Sequence, residues 1–96
     1  PASHMLAVLG SGPEDESLVQ AMHYLKLYIQ RIYKGNDLHV IGPAYAAVGK
    51  VKDIYRQVIY LKHEDYQVLV KIKDQLEKYI EINSGFRKMY IQFDFS

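Results

Sequence analysis

Short apolar runs with a two-residue period alternate along this chain with two longer segments of helical period. That alternation restricts the fold more than any other feature. Leu18, Ala21, Met22, Leu25, Tyr28, Ile29 and Ile32 recur at three- and four-residue steps, which predicts a helix from about Asp15 to Lys34. Leu69, Ile72, Leu76, Tyr79 and Ile80 do the same for a helix over about 64–82. Four segments around them read as strands: Leu6–Leu9, Leu38–Gly42, Tyr55–Lys62 and Lys88–Phe95. In the third, Gln57, Ile59 and Leu61 share one face, with Val58 and Tyr60 on the other. In the fourth, Met89, Ile91, Phe93 and Phe95 alternate with Tyr90, Gln92 and Asp94. Gly10-Ser11-Gly12-Pro13 reads as a turn. Gly35 reads as a left-handed cap after the first helix, and Asn83-Ser84-Gly85 as the end of the second. Ala44–Asp53 reads as a long loop.

The order β-α-β-β-α-β predicts an α+β fold, the split-βαβ, ferredoxin-like two-layer sandwich. Both helices then cover one face of an antiparallel sheet. Right-handed crossovers give the strand order 4-1-3-2. The second strand lies at an edge in that order. Pro43 cannot donate to a ladder and is tolerated there.

Ninety-six residues suit one domain with a modest core. Pro1-Ala2-Ser3-His4-Met5 resembles a cloning scar, so residues 1–5 are set aside and 6–96 are read as the domain. A start inside an apolar run suggests a piece of a longer protein. The absence of cysteine excludes disulfides and thiolate metal sites, and fits a reducing cytoplasm. No apolar run approaches the ~20 residues of a bilayer span, so no membrane partner is expected. His23, His39 and His63 lack zinc-ligand spacing. No phosphate-binding loop of the Gly-x-x-x-x-Gly-Lys-Ser/Thr type occurs, and no nucleophile has a suggestive base nearby. The fragment is therefore read as non-enzymatic, with no cofactor and no catalytic residues.

A net charge of +1 does not by itself point to nucleic acid. Its distribution says more. Lys50, Lys52, Arg56 and Lys62 meet one acid, Asp53, between positions 50 and 62, a local sum of 4 − 1 = +3. Such a patch attracts backbone phosphates. Tyr45 and Tyr55 lie among these cations and can stack on unpaired bases. The plainer account of the same residues is a solvated loop with ordinary surface cations. Most other tyrosines have simpler roles: Tyr28 and Tyr79 lie on apolar helix faces, and Tyr24 and Tyr33 on a partly exposed flank.

Val40-Ile41-Gly42-Pro43-Ala44, followed by Lys50 and then Tyr55-Arg56 leading into an apolar strand, resembles a known pattern. So do the opening Leu6–Gly12 and the closing Ile91-Gln92-Phe93-Asp94-Phe95. These segments are similar, in order, to the C-terminal domain of the bacterial replication-restart helicases, the primosomal protein N′ (PriA) family. The resemblance spans nearly all of 6–96. Two departures stand out. Tyr45-Ala46-Ala47 occupies a region where the family often has a second proline, and the chain ends at Ser96 rather than continuing toward Asp-x-Asp/Asn-Pro.

The resemblance implies a DNA-binding domain of an ATP-dependent 3′→5′ DNA helicase that recognises stalled or branched replication forks and directs replisome reloading. ATP and zinc would bind other domains of that helicase. Implied partners are branched or single-stranded DNA, the helicase core of the same protein, the single-stranded-DNA-binding protein and other primosome proteins. The implied location is cytoplasmic, at the nucleoid. In some members the acidic tail of the single-stranded-DNA-binding protein docks on the second helix's first turns. Tyr66 and Val70 stand at those positions here, so that site is not carried over. The candidate DNA-binding residues are Lys50, Lys52, Tyr55, Arg56, Lys62 and Tyr45. The competing reading is a regulatory or structural α/β module, for small-molecule binding or dimerisation, in which this patch is dispensable.

Overall fold

The computed structural model describes residues 3–96, with Val48 and Gly49 described in their backbone alone. Its elements are β1 (His4–Gly12), α1 (Asp15–Ile32), β2 (His39–Val51), β3 (Ile54–His63), α2 (Tyr66–Ile82), a 3-10 turn (Ser84–Phe86) and β4 (Tyr90–Phe95). The sheet is antiparallel throughout, in the order β2-β3-β1-β4. This is the predicted 4-1-3-2 order, and it makes β2 an edge strand.

Alternation along the strands assigns the two faces. Leu6 and Val8 of β1 lie opposite Leu61 and Ile59 of β3, and opposite Phe95 and Phe93 of β4. Leu6, Val8, Ile59 and Leu61 are fully buried beneath Leu18, Met22, Leu25 and Ile29 of α1 and Leu69, Ile72 and Leu76 of α2. Both helices thus pack on this face. Tyr28 and Tyr79 stack between them at 4.2 Å, and Phe86 meets the edge of Tyr79. Asp65 caps α2 by accepting the Gln67 amide. The opposite face carries Ala7, Leu9, Ser11, Arg56, Val58, Tyr60, Tyr90 and Gln92, with no helix over it.

Several expectations need correction. Gly10-Ser11-Gly12 is not a turn, because these residues continue β1 and pair with Gln57, Arg56 and Tyr55. Gly10 serves packing: a Cβ there would sit 2.6 Å from the Met22 sulfur and 3.1 Å from Leu18. The chain turns one residue later, at Pro13. Of the five leading residues set aside, Pro1 and Ala2 lie outside the described residues. His4 and Met5 belong to β1, and Met5 exchanges backbone hydrogen bonds with Ser96. Helix α1 stops at Ile32 rather than Lys34, and Gly35 is not a left-handed cap. The chain leaves the helix extended at Tyr33, whose hydroxyl then reaches β3's far end. Lys88 is outside β4, in a left-handed turn conformation that precedes it.

The largest correction concerns 44–53. It is not a loop but the second half of β2. Between the pairs Ile41/Tyr60 and Ala44/Val58, β2 takes three steps where β3 takes two. Between Tyr45/Gln57 and Lys50/Tyr55 it takes five where β3 takes two. The four extra residues form bulges, which an edge strand accommodates because its outer side has no ladder to break. Gly42 and Pro43, joined by a cis peptide, occupy the first. There φ of Gly42 is +96°, and a Cβ would stand 2.7 Å from the Val58 carbonyl oxygen, so glycine is required.

Candidate nucleic-acid interface

The β2–β3 hairpin closes through Lys52-Asp53. Both residues have positive φ, 51° and 66°. Two positive φ values are the signature of the type I′ hairpin turn, which normally uses Asn-Gly. Asp tolerates the left-handed region. A lysine there is uncommon and is held at a cost of about 1–2 kcal/mol. Lys52 is therefore presented at the tip of the sheet by a turn that a different residue would stabilise better.

Lys50 lies on the helix-covered side of the same tip. Its ammonium is 3.4 Å from Asp53 and 5.1 Å from the centre of the Tyr55 ring. The ion pair is exposed, so it binds Lys50 weakly and leaves it free to turn to another anion. Tyr55 is half-buried and packs at the margin of the core. Tyr45 is half exposed on the same side as Tyr55, and its hydroxyl donates to Asp15 at 2.6 Å, in the first turn of α1. That hydrogen bond, then burial, pushes the Tyr45 phenol above its ordinary value.

Arg56 and Lys62 project to the other face. Arg56 lies opposite Ser11 and Lys62 opposite Met5 and His39. Six steps along β3 separate them, roughly 20 Å. Arg56 is half-buried, because it stands on an inner strand with β1 and β2 on either side. The six candidate residues therefore do not form one patch. Lys50, Tyr55 and Tyr45 face the helix layer, Lys52 marks the tip, and Arg56 and Lys62 face the open side.

Three features escaped sequence reasoning. Tyr90, at the start of β4, is 62% exposed and stands in one row with Ser11 and Arg56. Lys88, whose position in the chain is remote from 50–62, reaches the same end of the sheet and lines a shallow depression of about 360 Å³ with Ile54, Pro13 and Tyr90. A larger depression, about 530 Å³, lies between the start of α1 and the end of α2, with Arg87, Lys88 and Glu14 in its lining. At the opposite end, His63 is buried and fully engaged. Its Nδ1 accepts from the Asp65 amide at 2.8 Å, which leaves the proton on Nε2. That nitrogen is 2.9 Å from the Tyr33 hydroxyl and 3.2 Å from Asp37, while Tyr33 donates to Asp37. The Tyr33 hydrogen bond holds the Asp37 carboxyl below its ordinary range, against the opposing effect of burial; the Tyr33 phenol is raised by the same bond. Among the described residues no group of His, Cys, Asp or Glu could hold a metal, and no helix is long and apolar enough to cross a membrane.

No family model matches the chain, and no curated protein matches it. Among solved structures, a de novo designed protein, Foldit4, superimposes with a TM-score of 0.73 at 8% identity, over 99% of this chain and 97% of that one. A hydantoinase/carbamoylase family amidase from Burkholderia ambifaria superimposes with a TM-score of 0.59 at 15% identity. That match takes in 99% of this chain but 27% of the amidase. Likeness at such low identity is one of fold, and it supports the two-layer sandwich without assigning an activity.

Proposed function

We propose that this chain is a DNA-binding domain, the C-terminal domain of a replication-restart helicase of the PriA kind. The observation that carries the reading is the hairpin tip, where a strained lysine, Lys52, is flanked by Lys50 and Arg56 with Asp53 as the only acid of the turn. Strained backbone of this kind clusters at functional sites, which favours a use for the charge of Lys52. Phosphates are the ligand that such a tip suits, and their recognition does not depend on base sequence. In this reading the domain works in the cytoplasm at the nucleoid, beside the helicase core of the same protein. It helps hold branched or single-stranded DNA, with the single-stranded-DNA-binding protein and other primosome proteins as further partners. ATP hydrolysis and zinc binding belong to other parts of that protein.

Titration with forked DNA at two salt concentrations tests the reading. If Lys50, Lys52 and Arg56 around the tip neutralise about three phosphates, the log–log salt slope is about −3. The triple variant Lys50→Glu, Lys52→Glu, Arg56→Glu should keep its fold by circular dichroism and lose most binding. A folded triple variant that binds as tightly as the parent overturns the assignment, and the structural-module reading takes its place.

A further inference from the structure

We propose that the helix-free face of the sheet is a platform for single-stranded DNA, on which unpaired bases stack against Tyr90 and Tyr60. This rests on the DNA-binding reading and adds a surface to it that the hairpin tip does not include.

The face has the required shape. Ser11 lies between Tyr90 on β4 and Arg56 on β3, as Ala7 lies between Asp94 and Tyr60. Neighbouring strands are about 4.8 Å apart, so each flanking pair stands roughly 10 Å apart across a small β1 residue. The floor along β1 is therefore low at Ser11 and at Ala7 and raised at Leu9 between them, with an aromatic ring on each bank. Tyr90 is 62% exposed and Tyr60 37% exposed. They are offset by four residues along the strands, about 13 Å, and by two strands across them. Aromatic rings displayed on a four-stranded antiparallel sheet of this topology can receive two or three splayed bases.

The charges fit the same occupant. Arg56 and Lys62 lie on this face, Arg56 in the row of Tyr90 and Lys62 two residues from Tyr60. Lys88 lines the depression beside Tyr90 with Ile54 and Met89. One acid, Asp94, shares the face, in the row of Tyr60. The acids Glu14, Asp15 and Glu16 open α1 and belong to the helix layer. Cations placed among apolar and aromatic groups suit a strand whose phosphates and bases must be met together. A duplex hides its bases and cannot use the rings.

Fluorescence anisotropy with a labelled oligothymidylate and with a blunt duplex tests this on the whole chain. Tyr90→Ala should weaken oligothymidylate binding by about 5- to 150-fold, the range for loss of one base–aromatic stack. Tyr60→Ala should act in the same direction, and Tyr90→Phe should retain most of the affinity because it keeps the ring. Duplex binding should change little in all three. Thermal unfolding of each variant should match the parent, which confirms that the loss is not one of fold. Two results overturn the platform while leaving the DNA-binding reading in place. One is unchanged oligothymidylate binding by both alanine variants while Lys50→Glu with Lys52→Glu abolishes it. The other is an equal loss for oligothymidylate and duplex. If the parent chain binds neither DNA at low salt, both readings fall.

Discussion

At the end of the sheet where β2 begins, polar groups satisfy one another: the Asp65 amide, His63, Tyr33 and Asp37 form a continuous chain, and Met5 pairs with Ser96. At the other end, Lys52, Ile54, Arg56, Lys88 and Tyr90 surround the hairpin tip, and among the described residues the ion pair there is the exposed Lys50–Asp53 contact. Both ends contain tyrosines, cations and acids. The difference lies in where the partners are. One end meets its hydrogen-bonding needs from within, which makes it a structural clasp. The other keeps Tyr45 bonded to Asp15 and Lys50 beside Asp53 and Tyr55, but it also displays Lys52, Lys88 and Tyr90, for which no ion pair or side-chain hydrogen bond is found among the described residues. Composition alone does not separate the two ends; pairing does.

The largest effects should come from the core beside the clasped end. Leu61 is fully buried between Leu6 and Val40 in register. Leu61→Ala should destabilise the chain by about 2–5 kcal/mol, through lost transfer energy and a residual cavity. Ile54, beside the tip, is 37% exposed, and Ile54→Ala should change stability by no more than about 0.5 kcal/mol. Urea unfolding of the two variants measures the gap. Equal losses would mean that the tip is as structural as the clasped end.

His63→Ala comes next. It removes the acceptor of the Asp65 amide and the donor to Tyr33, two part-buried contacts, for a loss of about 0.5–1.5 kcal/mol per hydrogen bond. Binding to forked DNA, measured at a temperature where the variant is folded, should be unchanged. A parallel loss of affinity would show that the two ends are coupled and that the division between them fails.

Lys52→Gly should separate stability from binding at the tip itself. Glycine relieves the left-handed strain but adds chain entropy, so the net gain should be about 0.5–1 kcal/mol. The same change removes one cation, so the salt slope should flatten by about 0.9 for duplex or 0.7 for a single strand. Greater stability with weaker, less salt-dependent binding would identify Lys52 as a residue kept for its charge. If stability falls, the turn does not hold Lys52 in the strained conformation.

Much of this architecture was legible in the sequence because it follows from period. The two helices, the alternating faces of β3 and β4, and the edge position of Pro43 all come from local patterning that tertiary packing then obeyed. What was not legible depends on register. Gly10-Ser11-Gly12 has the composition of a turn, yet its glycines admit Met22 and the backbone of Lys88 and Met89. Tyr45-Ala46-Ala47 lacks strand alternation because β2 bulges there. The proposed binding surface was partly legible. The cations at 50–62 are adjacent in sequence, but strand geometry sends Lys50 and Arg56 to opposite faces. Tyr90 and Lys88 become their neighbours only through the pairing of β4 with β1. No linear scan joins positions 34 residues apart without that pairing.

The smallest effects should appear in pH dependence, where each end has one tyrosine–aspartate bond. Tyr33→Phe and Tyr45→Phe each delete a hydroxyl donor and keep the ring. Both phenols have folded pKa values raised above the ordinary 10.0. A raised value means that the folded state holds the proton more tightly. The contribution is therefore present below pH 10 and lost as pH rises through the folded value. Asp37 is the opposite case, with a folded pKa below the ordinary 3.8. Its contribution is present above that value and lost as pH falls through the lowered one. The Tyr33–Asp37 bond should thus stabilise a window closed at both ends, and the stability difference between parent and Tyr33→Phe should shrink in strong acid and again in strong alkali. For Tyr45→Phe the predicted shrinkage is on the alkaline side. Melting temperatures recorded from about pH 3 to about pH 11 test both differences. If the two variants give the same profile at both extremes, Asp37 is not held by Tyr33, and the clasped end loses the hydrogen bond that most distinguishes it from the tip.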